Sequence, residues 1–357
     1  LTNLPTYQLT NLPTYQLTNL PTYQLTNLPT NQMHFPDKIF DISNEAQFTA
    51  MALETFHHQY LNNAVYKEFA DVRRIRPEEV LRLEDIPFLP IEFFKSRDVI
   101  CGSSPPQGIF RSSGTTGLER SRHLVADLGL YRKSFVSGFR LRYGDPADVQ
   151  FLALMPTPDQ APESSLIYMI RTLMDLSSSP ENGYFLASHS GLKARLTQKR
   201  PAGKRIMLIG LAYALLDFAA KYSGNYSPLM VVETGGMKGR RQEMLREELH
   251  EQLCEGYGVE QIHSEYGMTE LLSQAWSTGK GLFTTPPWMK VMIRDINDPL
   301  SWAATGVTGG INIIDLANYH SCSFIATQDL GRMQPNQQFE VLGRFDAAEA
   351  RGCSLMI

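Results

Sequence analysis

Across residues 44–70 apolar side chains recur at helical spacing, with Phe48, Ala52, Phe56 and Tyr60 on one face, and the pattern predicts an amphipathic helix. Asn44 and Gln47 stand at its start as a capping box. Residues 85–90 read as an extended segment leading through Phe93, Phe94 and Lys95 to a strand expected at 99–101. Residues 151–155 are wholly apolar and end at Pro156, whereas 164–175 are amphipathic, with Leu166, Ile167, Ile170, Leu173 and Met174. The buried-strand pattern returns at 205–211 and 229–232, each time followed by helical spacing; after the second, Leu245, Leu249 and Leu253 step by four along one face. Such alternation predicts α/β layers around a largely parallel sheet. From Trp288 the helical spacing stops. Residues 289–294, 310–316, 321–327 and 339–342 read as strands divided by Gly, Pro and Asn, a closing β-rich subdomain.

Residues 1–32 are four copies of an eight-residue unit, Leu-Thr-Asn-Leu-Pro-Thr-Tyr-Gln, the last ending Asn31-Gln32. A proline in every unit prevents a continuous helix, and the period is too short for a solenoid coil. This segment is expected to be a disordered tail, with the natural protein starting at Met33. Repeat-mediated binding is the alternative.

With 43% hydrophobic and 20% charged residues in 357, the composition is that of a soluble globular protein with more than one core. A net charge of -4 gives no basis for binding nucleic acid or an anionic membrane. No apolar run reaches the roughly 18 residues that span a bilayer, and the N-terminus lacks the basic start and apolar core of a signal peptide. Four cysteines (Cys101, Cys254, Cys322, Cys353) without a C-x-x-C pair read as reduced thiols, so a cytoplasmic location is expected.

Candidate chemistry begins after the turn-forming run 102–108. In Phe110-Arg111-Ser112-Ser113-Gly114-Thr115-Thr116-Gly117, hydroxyls and glycines let backbone N–H groups curl around a multiply charged anion. An ordinary surface loop has the same composition. The G-x-x-x-x-G-K-[ST] loop is excluded because Leu118 and Glu119 follow Gly117. Arg120 and Arg122 are the nearest cations, and arginine binds phosphate through two N–H groups. Glu233-Thr234-Gly235-Gly236 directly follows an expected buried strand, where paired glycines admit a flat ring or make a tight turn. His263-Ser264-Glu265-Tyr266-Gly267-Met268-Thr269-Glu270 brings together an aromatic ring to stack on a base, a hydroxyl to donate to phosphate, and a carboxylate to hold Mg²⁺.

Ser-Ser-Gly-Thr-Thr-Gly resembles the phosphate loop of the adenylate-forming enzymes, which activate carboxylic acids as acyl-AMP, although the lysine usual after that loop is missing. Tyr-Gly-Met-Thr-Glu resembles their adenine and Mg²⁺ motif. By the same resemblance Asp329 in Thr327-Gln328-Asp329-Leu330-Gly331 binds the ribose hydroxyls, and Gly343-Arg344-Phe345-Asp346 is the hinge whose arginine approaches the nucleotide. Ser121-Arg122-His123, the runs 164–169, 233–240 and 265–271, and Arg351-Gly352-Cys353-Ser354-Leu355-Met356 narrow the likeness to the acyl-protein synthetases, the long-chain-fatty-acid luciferin-component ligases of bacterial bioluminescence. The resemblance covers residue 33 to the end.

It implies an α/β adenylate-forming large domain at 33–342, a hinge remnant with a cysteine-bearing tail at 343–357, and a C-terminal domain largely absent. ATP and Mg²⁺ are the implied cofactors, and a fatty or other carboxylic acid is the substrate. Ser112, Ser113, Gly114, Thr115, Thr116, Gly117 and Arg122 would hold the phosphates. Gly235, Gly236, Tyr266 and Gly267 would frame the adenine, and Asp329 the ribose. Thr269, Glu270 (as metal ligand) and Arg344 would serve catalysis. Cys353 would accept the acyl group and pass it to an acyl reductase or another acceptor protein; its alternative is a small buried hydrophobe. Arg351 nearby would lower its thiol pKa from about 8.5. Two rival readings remain: coenzyme A as the acceptor, and a non-catalytic nucleotide- or acyl-binding subunit.

Overall fold

The computed structural model describes residues 35–113, 119–198, 203–235 and 244–345. The octapeptide tail, residues 114–118, Gly236 and everything from Asp346 on, Cys353 included, lie outside them. The first long helix, Glu45–Asn62, begins where the Asn44 side chain accepts from the Gln47 amide at 3.0 Å. Gln47 reaches back one residue further than a capping box requires, accepting from the Ser43 N–H at 2.9 Å. Helical spacing predicted no interruption before residue 70, yet the helix stops at Asn63. That side chain is buried and used twice, accepting from the Tyr66 amide to start a second helix, Ala64–Val72, and donating to the Ser321 carbonyl at 2.9 Å. In its extended conformation Asn63 serves both partners, so a tertiary contact overrides the periodicity. The buried face is Phe48, Ala52, Thr55, Phe56 and Gln59, whereas Tyr60 leans outward to Asp71.

Among the described residues the strands are β1 (Leu89–Pro90), β2 (Gly108–Arg111), β3 (Arg122–Val125), β4 (Val149–Leu154), β5 (Gly183–Tyr184), β6 (Arg205–Leu211), β7 (Leu229–Thr234), β8 (His263–Tyr266), β9 (Ala275–Ser277), β10 (Met289–Arg294), β11 (Thr308–Asp315), β12 (Phe324–Met333) and β13 (Phe339–Arg344). Residues 99–101 are not a strand. They are tied to the 320 turn by single bonds, Cys101 N–H to the His320 carbonyl and Ser321 Oγ to the Val99 carbonyl, with no ladder to extend. The segment expected as a strand from residue 321 starts only at Phe324, because the polar 321–323 turn is consumed by bonds to Asn63, Gln59 and Val99.

Three sheets result. The largest runs β5-β4-β6-β7-β8-β9 and is parallel except for the β8–β9 pair. Every residue of β4 is buried, as a strand covered on both faces requires. The second sheet runs β1-β12-β11-β10 with β13 added on β12, and is antiparallel except for β1. The third is the β2–β3 hairpin, in which Arg111 pairs with Arg122 and the Ser/Thr/Gly run forms the connection. Because β7 and β8 are parallel, with Thr234 beside Glu265, their carboxyl ends and the segments beginning at Gly235 and Gly267 open on one edge.

Helix packing around the large sheet depends on one small residue. Gly256, inside helix Arg246–Tyr257, faces helix Ala212–Lys221, and a β-carbon there would lie 2.6 Å from the Ala219 Cβ. Gly256→Val is expected to destabilise the fold by about 1–3 kcal/mol through overpacking, read as a lower denaturant midpoint with unchanged slope. Leu245, expected on the apolar face of that helix, is its N-cap and 73% exposed; Leu249, Leu253, Gly256 and Tyr257 form the buried face instead.

Candidate active site

Tyr266, Asp329 and Arg344 converge although they lie on β8, β12 and β13. Asp329 and Arg344 are register partners, which brings the Arg344 Nε to 3.1 Å from Asp329 Oδ1. The other carboxylate oxygen accepts from the Tyr266 hydroxyl at 2.7 Å. This bond joins the two large sheets at the carboxyl edge of β8. The Tyr266 ring lies edge-on to Phe283 and Phe339, and burial, followed by the Asp329 charge, pushes its phenol well above the ordinary value, so it stays a donor. Arg344 is 72% exposed in its side chain and projects outward from the group.

Thr269 and Glu270 form a turn just beyond β8 that is held from several sides. Asn318 Nδ2 donates to the Glu270 carbonyl at 2.8 Å, and His123 Nδ1 contacts the Thr269 carbonyl at 2.8 Å. Downstream, Asp315 accepts from the Leu272 and Ser273 amides on one oxygen and from Ser273 Oγ and the Ala317 amide on the other. Glu270 is 5% exposed, and burial raises its pKa against the opposing effects of the Ser121 hydroxyl and the Arg344 charge. A β-carbon on Gly267 would sit 2.5 Å from Glu265 Oε1, so a side chain there would have to displace that carboxylate. That carboxylate is engaged in turn by Thr234 Oγ1 at 2.5 Å from the end of β7.

The hairpin closes on this turn from the other side. Ser112 and Ser121 exchange two bonds, amide to carbonyl at 3.1 Å and Ser121 amide to Ser112 Oγ at 3.0 Å. Ser113 is exposed where the described chain stops; Gly114, Thr115, Thr116 and Gly117 lie beyond it. Arg122 pairs with Asp98 at 2.9 Å, while Arg120 wraps the hairpin mouth, donating from Nε to the Ser112 carbonyl at 2.5 Å. Gly235 follows β7 exposed with φ +65°, a conformation that favours glycine, and its neighbour Gly236 is outside the described residues. Ser112 is therefore linked through Ser121 to Glu270, and Glu270 feels the charges of Asp329 and Arg344. Among the described residues, Ser112, Ser121, Glu270, Tyr266, Asp329 and Arg344 thus adjoin one another.

Ser121, His123, Asp315 and Asn318 had no role assigned from sequence. Ser121 and His123 stood in a quoted motif, but an isolated serine or histidine carries no directional signal; Asp315 and Asn318 are ordinary polar residues until the fold seals them from water.

For Mg²⁺ the donor set is consistent with an ion held mainly by phosphate. Among the described residues no group of three or more His, Cys, Asp or Glu could hold a metal unaided. Mg²⁺ commonly takes one or two carboxylates and completes its shell with phosphate oxygens and water, and a buried Glu270 whose burial disfavours its own charge fits such an ion.

Solved structures share this architecture. 2-Hydroxyisobutyryl-CoA ligase, in complex with 2-HIB-AMP and CoA in the thioesterification state, superposes with TM-score 0.66 at 13% identity, covering 91% of this chain and 74% of that one. Its post-adenylation state, with R3-HIB-AMP, gives 0.65 at 12% identity over 91% and 73%. ATP-bound MatB from Rhodopseudomonas palustris gives 0.50 at 14% identity, covering 66% of this chain and 47% of MatB, so the chain spans about half of that protein. The fold is that of the adenylate-forming ligases. The family model described as acyl-protein synthetase, LuxE, matches residues 31–357, and the chain belongs to that family. No curated protein matches the chain in sequence. Among the described residues no helix is long and apolar enough to cross a membrane.

Proposed function

We propose that the chain activates a carboxylic acid, a fatty acid by our reading, with ATP, forming acyl-adenylate and pyrophosphate, and then transfers the acyl group to Cys353 and on to a partner such as an acyl reductase. The observation that carries this is the joining of Tyr266, Asp329 and Arg344 across two sheets beside the Thr269–Glu270 turn. Family membership supports it.

In this reading residues 33–342 form the adenylation domain and 343–357 a hinge with a cysteine-bearing tail. Asp329 accepts from the ribose hydroxyls with its orientation fixed by Tyr266 and Arg344. Gly235 and Gly236 give bare backbone against which the adenine lies. The hydroxyls and amides of 112–117, with Arg122 released from Asp98, hold phosphate oxygens. Thr269 donates to the α-phosphate, where negative charge builds as an acid oxygen attacks phosphorus and pyrophosphate leaves. A carboxylate nucleophile needs no general base, so electrostatic stabilisation is the main catalytic contribution. Glu270 would hold Mg²⁺, which when bound offsets triphosphate charge. The Cys353 thiolate then displaces AMP, and the proton of the thiol passes to solvent.

The test is acid-dependent exchange of labelled pyrophosphate into ATP, followed by labelling with a radioactive fatty acid. Exchange and a hydroxylamine-sensitive acyl-protein that disappears in Cys353→Ser are expected. Absence of exchange across a panel of acids overturns adenylation; stable label in Cys353→Ser overturns the acceptor. Coenzyme A-dependent release of an acyl thioester would replace Cys353 by coenzyme A as the acceptor.

A further inference from the structure

We propose that His123 is a positioning residue for the Thr269–Glu270 turn, acting through Nδ1–H and the Thr269 carbonyl. Its ring is fully buried on β3, edge-on to Phe94 with centroids 5.6 Å apart. A carbonyl oxygen only accepts, so the contact at 2.8 Å places the ring proton on Nδ1. Nε2 is left as a lone pair and, among the described residues, has no hydrogen-bond partner. The opposite tautomer would set the Nδ1 lone pair against the carbonyl oxygen and bury an unpaired N–H as well, so the Thr269 bond selects the tautomer.

What β3 does follows from the alternation of side chains along a strand. Ser121, the residue that leads into β3 two positions before His123, is buried like His123 and bonds the Glu270 carboxyl. Consecutive residues of the turn are therefore held by His123 on β3 and by Ser121 at its entry. That strand returns from the Ser/Thr/Gly connection and is clasped to its start by the two Ser112–Ser121 bonds. β3 is a rigid link between the loop that would hold phosphates and the turn that would act at the reacting phosphorus. The inference rests on the adenylation reading above and adds to it a residue that touches neither nucleotide nor acid.

Two substitutions separate the bond from the bulk of the ring. The amide nitrogen of asparagine falls near the place of Nδ1, and that of glutamine near Nε2. His123→Gln is expected to lower kcat for pyrophosphate exchange about 10- to 100-fold with the KM for ATP little changed, and His123→Asn to recover most of that loss. Both variants remove the ring from Phe94, so equal losses would show mere packing and overturn the proposal, as would wild-type kcat in His123→Gln. In the ¹⁵N-labelled wild-type protein, His123 is expected as the Nδ1–H tautomer; an Nε2–H tautomer overturns the assigned bond. A wild-type protein that exchanges pyrophosphate while its variants behave alike sinks this proposal alone. A wild-type protein that exchanges with no acid sinks the adenylation reading, and the role of His123 with it, whatever the tautomer.

Discussion

Glu270→Gln is expected to lower acid-dependent pyrophosphate exchange by about 10²- to 10³-fold, while the thermal midpoint of the protein holds or rises. The carboxyl is buried beside Ser121, and burial disfavours its charged form. Its ionised state is thus an electrostatic expense to the folded protein, tolerable where a cation and triphosphate complete the environment. Glutamine keeps the shape, leaves the Asn318 bond to the residue 270 carbonyl in place, and removes the charge. Stability and activity should therefore move in opposite directions. A variant that exchanges at the wild-type rate would remove Glu270 from the chemistry, and one that unfolds would show that the carboxylate holds the turn together.

The second large effect concerns stability. Asp315→Ala should destabilise the protein by about 3–5 kcal/mol near pH 5, because the Leu272, Ser273 and Ala317 amides lose a buried acceptor together. Each oxygen of Asp315 receives two donors. The same site ties Ser273 to Trp288, whose Nε1 lies 3.0 Å from Ser273 Oγ. Burial raises the Asp315 pKa from 3.8 to about 6 against the pull of its hydrogen bonds. The folded value lies above the unfolded one, so its contribution is full below about 3.8 and is lost as pH rises through about 6. At about 1.4 kcal/mol per unit this amounts to about 3 kcal/mol over the whole range, about half of it already lost by pH 5, so the stability gap between wild type and Asp315→Ala should narrow by about 1.5 kcal/mol from pH 5 to pH 8. Denaturant unfolding at both values checks it. A gap that widens instead would mean that four donors outweigh burial and hold the carboxylate ionised.

Much of the architecture was legible because burial leaves periodic traces. The apolar runs at 151–155 and 206–211 read as strands covered on both faces, and they form the interior of the parallel sheet. Residues 164–175 show a helical stripe that became helix Ser165–Ser177, whose N-cap is Ser164. The β2–β3 hairpin was not legible: its strands are four residues each, too short for a period to show against the Ser/Gly-rich sequence between them. The break at Asn63 was hidden for another reason, since its cause, the Ser321 carbonyl, lies 258 residues away.

The candidate site divides along the same line. Motif residues Tyr266, Thr269, Glu270, Asp329 and Arg344 were named from local sequence, because a residue type at a fixed spacing is a local property. Their meeting is not. Tyr266 and Asp329 are 63 positions apart, and only the crossing of two sheets puts a phenol against a carboxylate at 2.7 Å. The buried supports, His123, Asp315 and Asn318, carry no sequence signature because hydrogen-bond direction and desolvation exist only once the chain has closed around them. The chain alone thus determined its layers, its family and the kinds of side chain on offer. Tertiary structure decided which of them are dry, which face one another, and which backbone carbonyl each buried donor must satisfy.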